Sequence, residues 1–350
     1  MKKTALIAGT TGVVGRALLE HLETDTDWDI VALSRRPPDF PTRARFISVD
    51  LANRSDAAAK LADLRNISHV FYAAYTPANS LAEEAVLNAA MFETLLGEVE
   101  KQSPAGLAHV HLVHGSKWYG NHLGPYKTPA REDDPGHMPP NFYFDQQAHV
   151  IERQQGRSWT WSISRPHGIC GLAIGSSLSQ LTALAVYASI AKHLGHPLRF
   201  PGKPGPFTAV YQMTEAAYLA KGIVWMASAP QCANQVYNFT NGDFLRWENL
   251  WPKIARFFDM EPGRVQSISF KTFMSDKESL WSTIRQKHGL ASLSLDQLVN
   301  ARFADYVFNC EYDQMSDLTK IRNAGWVGAN DSEAMYIRLL QGLREKLVIP

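Results

Sequence analysis

The hydrophobic positions of the first half of the chain change period repeatedly, from short continuous runs to helical spacing and back. Thr4 to Ala8 is a brief apolar run closed by a glycine, and Ala17, Leu18, Leu19 and Leu22 then share one helical face between Gly15 and Leu22. Trp28 to Leu33, Arg45 to Val49, His69 to Ala74 and His109 to Val113 read as the second to fifth strands. Leu81 to Glu100 carries the spacing of a long amphipathic helix. Trp159 to Ser164 alternates large and small residues as a sixth strand, with both tryptophans on its buried face. Val236 to Thr240, before the turn Asn241-Gly242-Asp243, reads as a seventh. Such alternation predicts an α/β fold, a Rossmann-type doubly wound parallel sheet.

Beyond about residue 172 the pattern turns helical, with helices expected at Leu178 to His193, Thr214 to Ala227, Trp247 to Phe258, Asp276 to His288 and Ser332 to Lys346. The expected division is a Rossmann domain over residues 1–172 and a smaller, mostly helical cap over 173–350, with 207–243 partly returning to the sheet.

Composition narrows the function classes. Thirty-five Lys+Arg against 34 Asp+Glu give a net charge of +1 in 350 residues, and no like-charge block stands out. That argues against a nucleic-acid or anionic-membrane partner. Cys170, Cys232 and Cys310 are too scattered for a metal site or a disulfide framework, which fits a reducing compartment. The run Ala5 to Ala8 stops at Gly9, too short for a signal peptide, and no stretch approaches a membrane span, so a cytoplasmic protein is expected. His109, His111 and His114 have no carboxylate cluster beside them; they read as packed histidines, and no metal is expected.

Gly9-Thr10-Thr11-Gly12-Val13-Val14-Gly15 lies between the first strand and the first helix. Glycines there permit a tight turn, close approach of a pyrophosphate and close helix–strand packing, with the helix N–H groups facing the phosphates. An NAD-selective site would carry an acid at the end of the second strand; Ser34-Arg35-Arg36 stands there instead, which suits the 2′-phosphate of NADPH. Asp50 and Leu51 are placed for the adenine, Ala73, Ala74 and Tyr75 for the centre of the cofactor, and Ile169 and Ser176 complete the expected contacts.

Short-chain dehydrogenases/reductases pair a Tyr with a Lys four residues later, which lowers the phenol pKa. Tyr143 stands where that tyrosine belongs, but Gln147 follows it at the lysine position, and a lysine occurs instead in Gly115-Ser-Lys117-Trp-Tyr119. These segments, with Asn141-Phe142-Tyr143, Arg165-Pro166, Val186-Tyr187-Ala188, Lys192-His193, Leu198-Arg199-Phe200 and Asn238 to Asp243, resemble the progesterone 5β-reductase and iridoid synthase enzymes, atypical members of that superfamily. The resemblance spans nearly the whole chain. It implies Lys117 and Tyr143 as catalytic residues, NADPH as donor, and 1,4-reduction of a C=C bond conjugated to a carbonyl. A small enone or enal, steroid- or terpenoid-like, is then the partner, with Tyr143 binding the enolate oxygen and Lys117 keeping the local potential positive. Tyr119 is expected to pack. Tyr75, where the family commonly has Trp, Tyr143, Phe207 and Met335, where it has a pocket-closing Phe, are expected to line the substrate site, with Met213 nearby. The usual Arg-Pro-x-Asn turn reads Arg165-Pro166-His167-Gly168. The segment Arg131 to Asp134 with Pro135, Pro139 and Pro140 reads as an exposed connector. The helices at Leu81 to Glu100 and after Tyr143 are where related folds form homodimers. The rival readings are a ketoreductase or nucleotide-sugar epimerase, and a non-catalytic NADP(H) sensor.

Overall fold

A computed structural model describes residues 2–104 and 106–350. Seven strands form one parallel sheet: β1 (Lys3–Ala8), β2 (Trp28–Ser34), β3 (Arg45–Ser48), β4 (His69–Tyr72), β5 (His109–Val113), β6 (Thr160–Pro166) and, after the two-residue β7 (Ile169–Cys170) and β8 (Thr214–Glu215), β9 (Gln235–Phe239). The order is β3-β2-β1-β4-β5-β6-β9, so the winding reverses between β1 and β4. A crevice opens at the carboxyl ends of the strands at such a reversal.

The strands inside the sheet bury both faces, as parallel sheets require, while the edge strand β3 is exposed or half-buried throughout. On one side α1 (Val13–Glu23) packs with α7 (Ala216–Ser228) over Ile7, Ala32, Phe71 and Phe239. On the other, α2 (Arg54–Leu61), α3 (Leu81–Gln102) and α4 (Phe142–Gln154) cover Leu6, Val70, Val110 and Ile163. Trp159 and Trp161 are buried on this second side.

The cap has its own core. At its centre α5 (Gln180–His193) is buried on nearly every side. Around it stand α6 (Pro204–Thr208), α8 (Trp247–Phe257), α9 (Phe270–Met274), α10 (Glu278–His288), α11 (Leu295–Leu298), α12 (Ala301–Phe308) and α14 (Ser332–Glu345). Phe200, Trp247, Trp251, Trp281 and Tyr336 fill the space between them. The helix α13 (Thr319–Asn323) belongs instead to the sheet, since Leu318 before it and Ile321 within it pack beneath the sheet with Phe239. Among the described residues no helix is long and apolar enough to cross a membrane.

The sequence pattern misplaces two features and leaves a third incomplete. Thr214, expected to open a helix, forms β8 against β7, because its hydroxyl bonds the His167 carbonyl and the Glu215 N–H bonds Asn241. β4 ends at Tyr72, two residues early, because Ala73 and Ala74 turn in against Gly9. The connector at residues 131–134 is largely exposed, as expected, but it is also anchored: Glu132 accepts from the Asn238 N–H at 2.8 Å, and Ala130 pairs with Ser316.

Candidate active site

The glycine turn has the steric form its sequence demands. A side chain on Gly9, at φ +89°, would stand 2.7 Å from the Ala73 carbonyl; one on Gly15 would stand 2.1 Å from the Gly9 carbonyl. Gly12 starts α1 without a side-chain cap, and the first turn holds no acid. Its N–H groups are therefore left to a ligand, and their partial positive charge favours an anion. Thr11 and Val13 are half-buried at this turn.

Ser34 ends β2 with its hydroxyl 2.9 Å from that of Thr10. Arg35 and Arg36 are exposed beyond it, and Arg36 donates to the Gly175 carbonyl at 2.9 Å. The segment holding Ile169, Gly175 and Ser176 is thereby brought to the glycine turn, and Gly171 sits against Val13. Asp50 accepts from the Ala52 N–H. Leu51, expected against the adenine, instead has its side chain 6% exposed in the core beside Val49 and Leu61.

Lys117 and Tyr143 come from different elements. Lys117 lies in a short 3₁₀ turn, Ser116–Tyr119, directly after β5, while Tyr143 lies in the first turn of α4, capped by Asn141. The two are joined through a cluster: Lys117 lies 5.6 Å from the Tyr75 ring centre, Tyr75 stacks on Phe142 at 5.8 Å, and Phe142 meets Tyr143 edge-on at 4.5 Å. The Tyr143 ring stacks on His114 at 4.5 Å. A side chain added at Gly115 would stand 3.2 Å from the Tyr143 hydroxyl, so a glycine keeps the space before that oxygen open.

Glu84, in the first turn of α3, is the residue that sequence reasoning missed. Its carboxylate accepts from Lys117 at 3.2 Å and from the Tyr75 hydroxyl at 2.6 Å, and it is 8% exposed. Lys117 therefore faces a carboxylate, which corrects the expectation of a net positive site. The Tyr143 phenol is correspondingly pushed up, first by burial and then by the Glu84 charge, opposite to the lowering expected for the superfamily's Tyr–Lys pair. No sequence signal marks Glu84, since acids are ordinary in a first helical turn.

At the lysine position of the usual motif, Gln147 accepts from Arg165 at 3.1 Å. Arg165 is wholly buried; it stacks on Trp118 at 3.7 Å and donates to the Tyr119 hydroxyl, which in turn donates to Asn238. Tyr119 thus braces the Lys117 turn. His109 and His111 form a ladder with Thr160, Ser162 and Ser164 at 2.8–3.0 Å. Burial keeps these imidazoles neutral, His109 at about 3 and His111 well below its ordinary value. Among the described residues no cluster of His, Cys, Asp and Glu has metal-binding form.

The cap residues expected around the substrate divide. Phe207, on α6, is half-buried and packs on Phe200 at 5.0 Å. Met335 is fully enclosed: it lies on the inward face of α14 with Tyr336, Leu339, Leu340 and Leu343, and its sulfur meets the Asn241 amide at 3.4 Å. Met213 is equally enclosed in the cap core. Both are core residues, which corrects their place at a pocket wall; helical apolar spacing cannot tell the two apart.

Residues 5–350 match the PRISE-like Rossmann-fold domain family. The chain is similar to the (S)-8-oxocitronellyl enol synthase of Catharanthus roseus, 30% identical over 367 residues, covering 100% of this chain and 93% of that protein. It is 31% identical over 369 residues to the enzyme of that name from Nepeta racemosa (100% and 94% covered), and 27% identical over 380 residues to the short chain dehydrogenase gsfE of Penicillium aethiopicum (100% of both). Among solved structures, the UDP-glucose 4-epimerase of Thermotoga maritima superposes with a TM-score of 0.70 at 12% identity, over 98% of this chain and 99% of that one. The Bordetella bronchiseptica enzyme WbmH, in complex with NAD+, does so with 0.65 at 14%, over 99% of each. At such identities these two speak for the fold alone. The chain belongs to the PRISE-like Rossmann-fold family, the progesterone 5β-reductase and iridoid synthase-like group of atypical short-chain dehydrogenases/reductases that its displaced lysine resembles.

Proposed function

We propose that the protein is an NADPH-dependent reductase of C=C bonds conjugated to a carbonyl, acting on an enone or enal. The observation that carries this reading is the Tyr143 phenol: it stands over the open backbone of Gly115, beside the cluster that holds Lys117, and its proton is firmly held. The glycine cradle supports a dinucleotide, since the space a Cβ would fill at Gly9 and Gly15 is closed to every other residue. The uncapped start of α1 would receive its pyrophosphate, Arg35 and Arg36 its 2′-phosphate.

When bound, the reduced nicotinamide supplies hydride to the β-carbon. Tyr143 donates a hydrogen bond to the carbonyl oxygen, where negative charge collects as the enolate forms, and such a donor aimed at a developing oxyanion is worth about 3 kcal/mol. A phenol held well above its ordinary range keeps its proton throughout, which suits an enolate and is poorly suited to full protonation of an alkoxide. The Phe142 ring, stacked on Tyr75, packs edge-on against Tyr143 and holds the phenol in place. The name enol synthase, borne by two of the relatives, supports an enol-type product at that oxygen.

The test is turnover of 2-cyclohexen-1-one with NADPH, NADH in parallel, and identification of products. Saturated ketone is expected, with Lys117→Ala and Tyr143→Phe each about 100-fold slower while NADPH still binds. Allylic alcohol would establish a ketoreductase. NADPH binding without turnover on small or steroidal enones would favour the sensor reading.

A further inference from the structure

Two phenols belong to the cluster that holds Lys117. One is Tyr75, whose ring centre lies 5.6 Å from the ammonium; the other is Tyr143, reached from Tyr75 through the stacked ring of Phe142. A cluster with two phenols holds two donors for a substrate oxygen, and each has a single proton to give. The structure shows where one of them goes. Tyr75 donates to one oxygen of Glu84 at 2.6 Å, while Lys117 donates to the other at 3.2 Å. The clamp is fixed from behind: Asn88 donates to the Glu84 carbonyl, and its side chain also bonds the N–H and the carbonyl of Thr76. The helix carrying Glu84 and the segment carrying Tyr75 therefore keep one relative position.

We propose that Glu84 is the positioning residue of this site: by accepting the hydrogen bond of the Tyr75 hydroxyl and pinning Lys117, it leaves Tyr143 as the phenol that binds the substrate oxygen. This rests on the reductase reading above and adds to it the choice between the two tyrosines. Glu84 acts through its neighbours, and its charge also reaches Tyr143. Burial first, then the Glu84 carboxylate, holds the Tyr143 phenol above its ordinary range. The other titratable groups facing the cluster come from every side of it. His114, stacked on Tyr143, is kept neutral by burial and by the nearby Arg165 charge. His122 lies at about 4, lowered by burial and by Lys117. Tyr75 is itself raised by burial and by Glu84. Neither histidine titrates above neutral pH, so an alkaline limb reports the phenols of the cluster.

The test compares the wild type with Glu84→Gln and Glu84→Asp in two assays. Gln at this position still accepts from Tyr75 but sets no charge against Lys117. The alkaline limb of kcat for enone reduction is expected to move down by about one pH unit in Glu84→Gln. The loss falls on kcat, not on the KM for NADPH, and Glu84→Asp, which keeps the charge, recovers most of the limb. The second assay needs no turnover: acylation of Lys117 by acetic anhydride, followed by peptide mass spectrometry, speeds up several-fold in Glu84→Gln and far less in Glu84→Asp. An unmoved limb or unmoved labelling in Glu84→Gln overturns the proposal. Tyr75→Phe supplies a check that does not depend on the Gln variant folding: its loss of kcat is to be much smaller than that of Tyr143→Phe, and an equal loss overturns the assignment. Absence of enone turnover in the wild type would count against the reductase reading, while the labelling would still decide whether Glu84 holds Lys117.

Discussion

His69, His109 and His167 are held at about 4, about 3 and about 4, in each case chiefly by burial. In the unfolded chain all three return to about 6.5. Between that value and the folded ones, the unfolded state binds more protons than the native state, so stability is whole above pH 6.5 and falls as the pH drops toward 4. From pH 7 to pH 5 each histidine contributes a loss of about 2 kcal/mol, or about 6 kcal/mol for the three. That is comparable with the 5–15 kcal/mol that holds a typical domain together. His109 is the informative site, because both ring nitrogens are bonded, to Thr160 and to Ser162, each at 2.8 Å. His109→Gln loses one of these bonds and is expected to cost about 1–2 kcal/mol at pH 7. It also removes a titrating group, so the stability difference between pH 7 and pH 5 shrinks by about 2 kcal/mol. Urea unfolding followed by tryptophan fluorescence at the two pH values measures both terms. Carboxylates also lose stability in acid, but they are common to both proteins and drop out of the comparison. An identical pH dependence in wild type and variant would refute the reasoning.

The cofactor site gives two further expectations. Arg35→Ala and Arg36→Ala should each weaken NADPH binding about 10-fold and leave NADH nearly unaffected, since each removes a charge-assisted contact to the 2′-phosphate; an unchanged NADPH-to-NADH ratio, read by fluorescence titration, would count against that placement. Gly15→Ala forces a methyl group to within 2.1 Å of the Gly9 carbonyl, main chain against side chain with no flexible partner to yield. Overpacking of this kind costs about 1–3 kcal/mol and spreads α1 from β1, so both the Tm and NADPH affinity should fall; a variant with both intact would show that the turn is looser than described.

What could be read in the sequence was whatever repeats over several residues or requires one residue type. The seven strands of the sheet, the long α3 and the glycine turn belong here, because period and steric need leave few alternatives. What could not be read depends on contacts between distant residues. β7 and β8 are two residues each and exist because His167 and Asn241 bond Thr214 and Glu215. Glu84 lies far along the chain from Lys117, and only the packing of α3 beside β5 makes an ordinary first-turn acid part of the site. Met335 shows the opposite failure: a resemblance and an apolar spacing placed at the pocket a side chain that the cap encloses. Lys117 and Tyr143 were legible as residues, but the balance of charge around them was not.

The course of the chain through the sheet has a consequence for synthesis. β6 closes at Pro166, yet its outer neighbour β9 opens only at Gln235, and the layer beneath is completed by Leu318 and Ile321. As the polypeptide leaves the ribosome, six strands emerge long before the seventh, and β6 stands meanwhile with an unpaired row of N–H and carbonyl groups. α5 waits as well, since its apolar surface is covered only when α8 to α14 have been made. A nascent chain cut after residue 172 is thus an open template for strand addition, not a finished nucleotide-binding domain. The layer of α2, α3 and α4 is complete once β6 is made, whereas the layer of α1 and α7 and the core of the cap both wait for the carboxyl-terminal third.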